Sequence, residues 1–241
     1  MLSIQKVSKI FDSQKIVLNN VTLSVNPGEI FALIGPNGSG KTTLVKMIAG
    51  LLQTSSGKII VDSFDVAKQA EKSKALVGYI PDEPSIWPYL TGQEFLELTG
   101  ALFRMSAHER QAKIPKLLEI FKLSGLEQQF FDEYSRGNKQ KFSILAALLH
   151  NPKLLLVDEP IVGLDPGSAE TAKQQFVHFA KRGGAILLVT HTLPVAQAIA
   201  HRIGILKNGK LIAVGSLSEL RRKAKLSVSA PLEAIYQSIV R

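Results

Sequence analysis

Residues 35–42 of the chain read Gly35-Pro36-Asn37-Gly38-Ser39-Gly40-Lys41-Thr42, which fits the pattern Gly-x-x-x-x-Gly-Lys-[Ser/Thr]. The apolar run at residues 30–34 predicts a buried strand before this segment, and apolar residues at helical spacing over residues 42–51 predict a helix after it. Glycines let several backbone N–H groups point at one anion, and the start of a helix adds its positive end. The segment therefore predicts a loop that binds nucleotide phosphates; the alternative is a glycine-rich turn with a chance lysine.

Two side chains of this loop have separate predicted roles. Lys41 is expected to neutralise the β- and γ-phosphates of ATP, and the hydroxyl of Thr42 to bind Mg²⁺. The phosphate-binding residues predicted in and after the loop are Gly35, Asn37, Gly38, Ser39, Gly40, Lys41, Thr42 and Thr43.

A second apolar run, residues 154–157, ends in the carboxylates Asp158 and Glu159. Open parallel sheets bind their ligands at the carboxyl ends of strands, so these two side chains are predicted to face the same nucleotide. Asp158 is expected to hold the metal, and Glu159 to polarise the attacking water as the catalytic carboxylate. Acidic residues after a strand also cap helices, and the pair alone would leave that alternative open.

The remaining segments predict an α/β fold. Apolar stretches that alternate with helical stretches are typical of a parallel sheet. Between residues 91 and 150 the apolar spacing is helical throughout, which predicts an inserted helical lobe, and residues 221–241 predict a short C-terminal helical extension. The further predicted strands are residues 16–25, 58–61, 75–80, 185–190, 203–206 and 210–214.

Composition narrows the class of protein. The 241 residues contain no cysteine, which excludes disulfides and thiolate metal sites, and no window of 18 apolar residues, so we expect a chain that neither crosses a bilayer nor is secreted through a signal peptide. The net charge of +9 leaves three interpretations open: a solvated basic surface, contact with anionic lipid, or contact with nucleic acid. The densest basic group, Arg221, Arg222, Lys223 and Lys225, has no aromatic residues or helix-turn-helix pattern beside it.

With these motifs in this order, residues 2–220 resemble the nucleotide-binding domain of the ATP-binding cassette (ABC) family. Gly163-Leu164-Asp165 is similar to the family's D-loop, which crosses the dimer, and implies a nucleotide contact by Asp165. The resemblance implies that His191 is the histidine that senses the γ-phosphate, and that it acts in catalysis with Glu159. It also implies that Phe11 stacks on adenine, against the alternative of a core aromatic ring. The other histidines of the chain are expected to be structural.

Residues 134–138, Tyr-Ser-Arg-Gly-Asn, align with the family's Leu-Ser-Gly-Gly-Gln signature, which binds the γ-phosphate of ATP held by the opposite subunit. Ser135 and Gly137 keep the hydroxyl and the N–H donor that a phosphate needs at a helix N-terminus. Arg136 replaces a glycine and adds a cation. This opening resembles the subgroup that serves drug, bacteriocin or lipid-linked export.

Asp82 stands where the family's Q-loop supplies a glutamine to Mg²⁺ and couples to the membrane domain. A carboxylate also binds a hard cation, so metal contact by Asp82 is predicted. Glu83 beside it either shares that role or is a surface residue. Trp87 and Tyr89 follow at the entry to the helical lobe, where they either pack inside the lobe or meet a helix of a membrane subunit.

The resemblance implies a P-loop NTPase core with a mixed, mainly parallel sheet, an antiparallel N-terminal β subdomain and an inserted α-helical subdomain. Residues 1–220 are expected to form the ATP-binding domain, with a catalytic core at 1–85 and 151–220, a helical subdomain at 86–150 and an extension at 221–241. It further implies a transmembrane permease subunit and a second copy of this or a similar subunit as partners, with no specific nucleic acid. The expected location is cytoplasmic, peripheral on the inner face of the cell membrane.

Three other classes were weighed against an ATPase subunit of a transporter. A soluble ABC ATPase acting on ribosomes or nucleic acid usually carries two cassettes or long coiled-coil insertions, and the chain has neither. A non-hydrolysing regulatory subunit would fit the altered residues 82 and 136, but Glu159 and His191 argue against it. A small-molecule kinase would leave the signature-like segment without a purpose.

Overall fold

The structure of the protein is a computed structural model that describes residues 1–11, 14–84 and 87–240. Its strands in chain order are β1 (Leu2–Ile10), β2 (Ile16–Val25), β3 (Ile30–Ile34), β4 (Ser56–Val61), β5 (Phe64–Asp65), β6 (Val77–Ile80), β7 (Leu154–Asp158), β8 (Ala185–Val189), β9 (Arg202–Lys207) and β10 (Lys210–Gly215). Its α-helices are α1 (Lys41–Ile48), α2 (Ala70–Lys74), α3 (Gly92–Leu102), α4 (Ala107–Ile120), α5 (Arg136–Leu149), α6 (Pro166–Lys181), α7 (Leu193–Ile199), α8 (Leu217–Lys223) and α9 (Leu232–Val240), with a 3₁₀ turn at Phe131–Glu133.

The larger sheet has the strand order β10-β9-β3-β8-β7-β6. Its strands run parallel from β9 to β6, and only β10 pairs antiparallel, with β9. Every residue of β3, β7 and β8 is buried, because helices cover one face of the sheet and α1 with strands β1, β2 and β4 covers the other. This burial explains why the three strands read as continuous apolar runs, and it confirms the predicted α/β fold with a mainly parallel sheet.

The smaller sheet has the order β2-β1-β4-β5 and is antiparallel throughout. Strand β1 was not among the predicted strands. Its register shifts between Ile4 and Val7, where Lys6 has a φ of 49°. The buried residues Leu2, Ile4 and Val7 are therefore spaced by two and then three positions, and the bulge breaks the period-two alternation by which a strand is recognised.

The helical lobe between β6 and β7 forms around α3, α4 and α5. Capping boxes start two of these helices, with Thr91 and Glu94 exchanging hydrogen bonds at α3 and Ser106 and Glu109 at α4. Buried aromatic rings, Phe131, Tyr134 and Phe142, fill the space beside them. Tyr134 stacks on Phe142, and Phe131 meets Tyr134 edge-on. The predicted inserted helical subdomain is thus present, although the proposed boundary between residues 85 and 86 lies outside the described residues.

The last two helices pack against the larger sheet. Leu232 and Ile235 of α9 are fully buried in the same hydrophobic cluster as Ile30 of β3, and Leu220 of α8 joins them. The backbone N–H of Leu232 donates to Oε1 of Gln197 in α7 at 2.6 Å. The helical character predicted after residue 221 is therefore found, within a segment that shares the core of the chain. Across the described ranges, none of the helices combines the length and apolar character that spanning a bilayer requires.

Candidate functional site

The loop between β3 and α1 curls because its glycines adopt conformations that other residues avoid. Gly38 has a φ of 75° and Gly40 a φ of 106°. A Cβ on Gly40 would lie 2.7 Å from Cδ2 of Leu18 and 2.9 Å from the carbonyl oxygen of Val17, so the β2 backbone approaches the loop too closely for any side chain. The predicted strand, loop and helix are all present, with the helix beginning at Lys41 instead of Thr42.

Lys41 is 7% exposed and turns back over its own loop. Its Nζ donates to the carbonyl oxygens of Gly35 at 2.9 Å and Pro36 at 3.1 Å. Burial lowers the pKa of Lys41, and the charges of Glu159 and Asp158 oppose that shift. The ammonium group is therefore held inside the loop and within the field of the two carboxylates that follow β7.

Asp158 ends β7 and is 1% exposed. Burial raises its pKa to about 6, and Glu159 and Asp82 add to that rise, whereas a hydrogen bond with the Thr42 side chain and the charge of Lys41 lower it. The structure thus brings together the two residues that the sequence assigns to metal binding at this edge of the sheet, Thr42 and Asp158.

At this edge two buried polar atoms, Oδ2 of Asp158 and Oγ of Ser39, have no hydrogen-bond partner among the residues that the structure describes. Such atoms are rare in folded proteins and usually face a ligand, a water or an ion. A hydroxyl beside a carboxylate with a raised pKa is a donor set that suits Mg²⁺, which uses few protein oxygens and completes its shell with waters and phosphates. The described residues contain no cluster of three or more His, Cys, Asp or Glu suited to a metal, so phosphate oxygens would have to supply the remaining ligands. The residues present therefore fit Mg²⁺ bound together with a nucleotide.

Glu159 is held on both of its carboxylate oxygens. Oε2 accepts from Oγ1 of Thr190 at 2.9 Å, and Oε1 accepts from the backbone N–H of His191 and contacts Nδ1 of the same residue, each at 2.7 Å. The backbone of Glu159 has a φ of 48°, a left-handed conformation that a non-glycine residue adopts only under constraint. Strands β7 and β8 supply that constraint, because N–H of Glu159 donates to the carbonyl of Val189 at 2.9 Å.

Thr190 is a site residue that the sequence analysis missed. It lay inside the predicted strand 185–190 and received no role. The signal was present, since a buried polar residue at the end of an apolar strand and beside His191 has to find a hydrogen-bond partner. That the partner is Glu159 depends on the pairing of β7 with β8, which no local pattern reveals.

The signature segment lies against the D-loop of its own chain. Ser135 caps α5 by accepting from the backbone N–H of Asn138 at 3.2 Å, and a Cβ on Gly137 would lie 2.7 Å from the carbonyl oxygen of Gly163. Within the described residues, no hydrogen bond or ion pair joins Ser135 or Gly137 to the loop at residues 35–42. The signature residues and the phosphate loop are therefore separate elements of a single chain.

Asp165, at the end of the D-loop, caps α6. It accepts from N–H of Ser168 at 2.9 Å and from its hydroxyl at 2.6 Å, and it pairs with Nζ of Lys141 at 3.4 Å. The hydrogen bonds from Ser168, and then the charge of Lys141, keep the pKa of Asp165 well below its usual range. Asp165 is thus anchored as a helix cap, and its predicted nucleotide contact stays a prediction.

Asp82 and Phe11, two predicted site residues that lie between elements, are both exposed. Oδ1 of Asp82 lies 3.8 Å from Nη2 of Arg136 in the signature segment. The Phe11 ring is 41% exposed, with Nζ of Lys9 4.9 Å from its centroid, so it is accessible to a ligand and is not a core residue. Trp87 and Tyr89 are 54% and 87% exposed, which means that packing inside the lobe does not account for them.

Comparison with known proteins agrees with this arrangement. The ABC transporter family matches residues 18–162. Among curated relatives, the linearmycin resistance ATP-binding protein LnrL of Bacillus subtilis is 32% identical over 91% of this chain and 70% of its own length, and the Nod factor export ATP-binding protein I of Burkholderia thailandensis is 35% identical over 89% and 70%.

Solved structures show the same likeness. The structure of an ATP-binding subunit of an ABC transporter superposes with a TM-score of 0.95 at 34% identity, covering 100% of both chains. A dimeric ATP-binding cassette in a post-hydrolysis state, bound to ADP and Pi, superposes with a TM-score of 0.82 at 26% identity, covering 90% of this chain and 99% of the other. The chain therefore belongs to the ABC transporter family and is one of its ATP-binding, ATP-hydrolysing subunits.

Proposed function

We propose that two copies of this subunit, or one copy and a similar subunit, face each other head to tail and hydrolyse Mg-ATP to drive export through separate membrane subunits. In this arrangement Lys41 of one subunit and Ser135 of the other contact the same ATP. The dimeric state of the related cassette bound to ADP and Pi supports the pairing. The separation of phosphate loop and signature within one chain supports it too, because each needs a partner to complete the site.

The observation that carries the catalytic part is the fixation of Glu159 on both oxygens. A carboxylate has no proton to give, so Nδ1 of His191 must carry the proton in their 2.7 Å contact. Thr190 and His191 thereby fix the direction of the Glu159 carboxylate before any nucleotide binds. A general base held in place in this way needs little reorganisation to accept a proton from water.

Lys41, Thr42 and Asp158 would act on the phosphates and the metal. Bound Mg²⁺ supplies neutralisation of the phosphate charge. Thr42 and Asp158 would hold the ion. Burial raises the pKa of Asp158 because it disfavours the charged carboxylate, and a bound cation would offset that cost. Asp82 is a third candidate ligand, because its negative charge acts on the carboxylate of Asp158. Asn37, Gly38 and Thr43 complete the proposed phosphate contacts, and Phe11 the proposed adenine contact.

The membrane part of the proposal is supported by surface features and relatives. Trp87 and Tyr89 are exposed. Separately, a cavity of about 420 Å³ lies between the helical lobe and the core and is lined by Tyr79, Phe95, Phe103 and others. Exposed aromatic rings and apolar grooves are both typical of protein interfaces. The relatives named for Nod factor export and linearmycin resistance support export as the direction. The proposed location is the cytoplasmic face of the cell membrane.

The central test replaces Glu159 by Gln. We expect ATP binding to persist, steady-state ATPase to fall by about a hundredfold or more, and ATP to convert the variant to a dimer that size-exclusion chromatography resolves. Glu71→Gln, an exposed carboxylate on α2, is the matched control and should behave as wild type. Wild-type turnover in Glu159→Gln would refute the role of Glu159.

The partner is tested by adding a detergent-solubilised membrane subunit of the same transporter to the wild-type chain. Stimulated ATPase supports the transport function, because closure of the dimer is what a membrane subunit would sense. Stimulation by ribosomes or nucleic acid, with no effect of the membrane subunit, would instead favour a soluble ABC ATPase.

A further inference from the structure

Two of the motif positions at which this sequence departs from the family pattern contact each other. Asp82 replaces the Q-loop glutamine, Arg136 replaces a signature glycine, and their side chains form an ion pair of 3.8 Å across 54 residues of chain. One belongs to the connection that follows β6 of the core, the other to the first turn of α5 in the helical lobe. The pair therefore ties the lobe to the core.

Each member of the pair faces a different nucleotide site. Asp82 follows the carboxyl end of β6, and β6 pairs with β7, the strand that ends in Asp158. Its carboxylate therefore lies at the edge of the sheet that carries the phosphate loop of its own chain. Arg136 lies between Ser135 and Gly137, the residues proposed to meet the ATP of the second copy. Nucleotide binding at either site would therefore act on one member of the Asp82–Arg136 ion pair.

Arg136 is also packed against the D-loop. A Cβ on Gly163 would lie 3.2 Å from Cδ and 3.3 Å from Cγ of Arg136, so the arginine stem covers this glycine. Nε2 of Gln140 donates to the carbonyl oxygen of Pro160 at 3.4 Å, and Lys141 pairs with Asp165. These contacts pack the start of α5 against the segment after Glu159.

The charges around Arg136 favour exchange of its partner Asp82 for a phosphate group. The first turn of α5 holds no acidic residue, and Arg136 and Lys139 add positive charge to the positive end of the helix. Asp82 is the only carboxylate among the described residues that forms an ion pair with Arg136. Phosphate oxygens carry more charge and offer bidentate contacts, so they would compete with a single carboxylate for the guanidinium.

We propose that Asp82 and Arg136 form a latch that holds the nucleotide-free subunit open and that the ATP of the second copy releases when the dimer closes. The latch rests on the proposed head-to-tail function. Arg136 acts here as a positioning residue. When it binds the ATP of the second copy it releases Asp82, which follows β6 next to the ATP site of its own chain. Both side chains are about half exposed, at 55% and 51%, so the ion pair is weak enough to be exchanged.

The test is a double-mutant cycle in the Glu159→Gln background, with the ATP concentration that gives half-maximal dimer as the readout. Asp82→Asn breaks the latch and leaves Arg136 free, so half-maximal dimer should need about two- to fivefold less ATP. In an Arg136→Gln background the same Asp82→Asn change should no longer lower the ATP requirement, because any effect of Asp82 on metal binding can only raise it. Raising the salt concentration from about 50 to 500 mM should shrink the difference, because exposed charges are screened. Glu133→Gln, an exposed carboxylate three residues before Arg136, is the matched control.

An equal shift by Asp82→Asn with and without Arg136, or no shift in either background, would overturn the latch. Hydrogen exchange at the start of α5 in nucleotide-free protein is a second readout, expected to rise about two- to fivefold in Asp82→Asn and not further in the double variant. If every variant stays monomeric with ATP, the proposed dimer is wrong and the release step falls with it. The exchange difference would then still show whether the ion pair holds the lobe.

Discussion

Lys41, Asp158 and Glu159 are buried, with 1–8% of each residue exposed, whereas the side chains of Asp82 and Arg136 are about half exposed. The first group forms the phosphate side of the site, and its members already meet in one chain. The second group belongs to the surface that the second copy is proposed to cover. The phosphate side of the proposed site is therefore assembled within one chain, whereas the signature side is proposed to act on the nucleotide of the second copy.

The two sides also differ in the number of unfavourable local features in the nucleotide-free subunit. On the phosphate side, a buried carboxylate oxygen of Asp158 has no partner, and Glu159 has a left-handed backbone. Both features are unfavourable without a ligand, and a bound nucleotide with its metal would relieve the first of them. On the signature side, Ser135 caps α5 and Arg136 pairs with Asp82, so closure has to exchange these contacts.

The largest expected effect comes from breaking the phosphate side. Lys41→Ala removes the one lysine of the loop, and we expect ATP affinity to fall by about a hundredfold, because a charge-assisted contact to phosphate is lost. Folding should be maintained, since the bonds of Nζ to Gly35 and Pro36 are within the loop itself. Calorimetric titration with ATP measures the affinity. Lys46→Ala, exposed on the same helix, is the control, and equal affinities of the two variants would contradict the role of Lys41.

The next effect concerns the unpaired charge of Asp158. Burial raises the pKa of Asp158 from its ordinary 3.8 to about 6 on folding. A carboxyl with a raised folded pKa contributes stability that is complete below pH 4 and is lost as the pH rises through 6. At pH 7.5 the loss amounts to up to about 3 kcal/mol in protein free of nucleotide and metal.

Asp158→Asn removes that penalty. In EDTA and without nucleotide, the variant should therefore melt several degrees above wild type at pH 7.5, and the gap should narrow toward pH 4.5. Thermal unfolding across this pH range gives the measurement. Asp132→Asn, which is exposed, should track wild type throughout. A gap for Asp158→Asn that does not change with pH would show that the carboxylate is not strained.

Much of the phosphate side could be predicted from the sequence because its signals are local. The loop at residues 35–42 carries its chemistry in eight consecutive residues, and the strands beside it are continuous apolar runs that a doubly covered sheet requires. The end of β7 was located in the same way. In these cases one stretch of chain determines both the structure and the chemistry.

The contacts that were missed depend on pairs of distant segments. Thr190 meets Glu159 because β7 and β8 are neighbours, and Asp82 meets Arg136 because the lobe folds back onto the core. Strand β1 was missed for a different reason, since its bulge at Lys6 disrupts the alternation. The sequence showed that residues 82 and 136 were unusual, but only the fold shows that they are unusual together.

Ser135→Ala has the smallest expected effect on the isolated subunit. It also tests most directly the difference between the phosphate side and the signature side. The hydroxyl caps α5 through the N–H of Asn138, so its loss should lower the free energy of unfolding by about 1 kcal/mol. ATP affinity of the monomer should be unchanged, because in the described part of the chain no hydrogen bond joins Ser135 to the phosphate loop of its own chain. ATP-driven dimerisation in the Glu159→Gln background should nevertheless weaken by about tenfold or more, since Ser135 is proposed to reach the ATP of the second copy.

Ser106→Ala separates the two roles of a capping serine. Ser106 caps α4 through Glu109 in the same lobe and has no proposed contact with nucleotide, so its loss should lower stability to a similar extent and leave dimerisation intact. Equal loss of dimer in both variants would mean that lobe stability alone controls closure. Weaker monomeric ATP binding in Ser135→Ala would mean that the signature acts within its own chain, and the division between the phosphate side and the signature side of the site would be wrong.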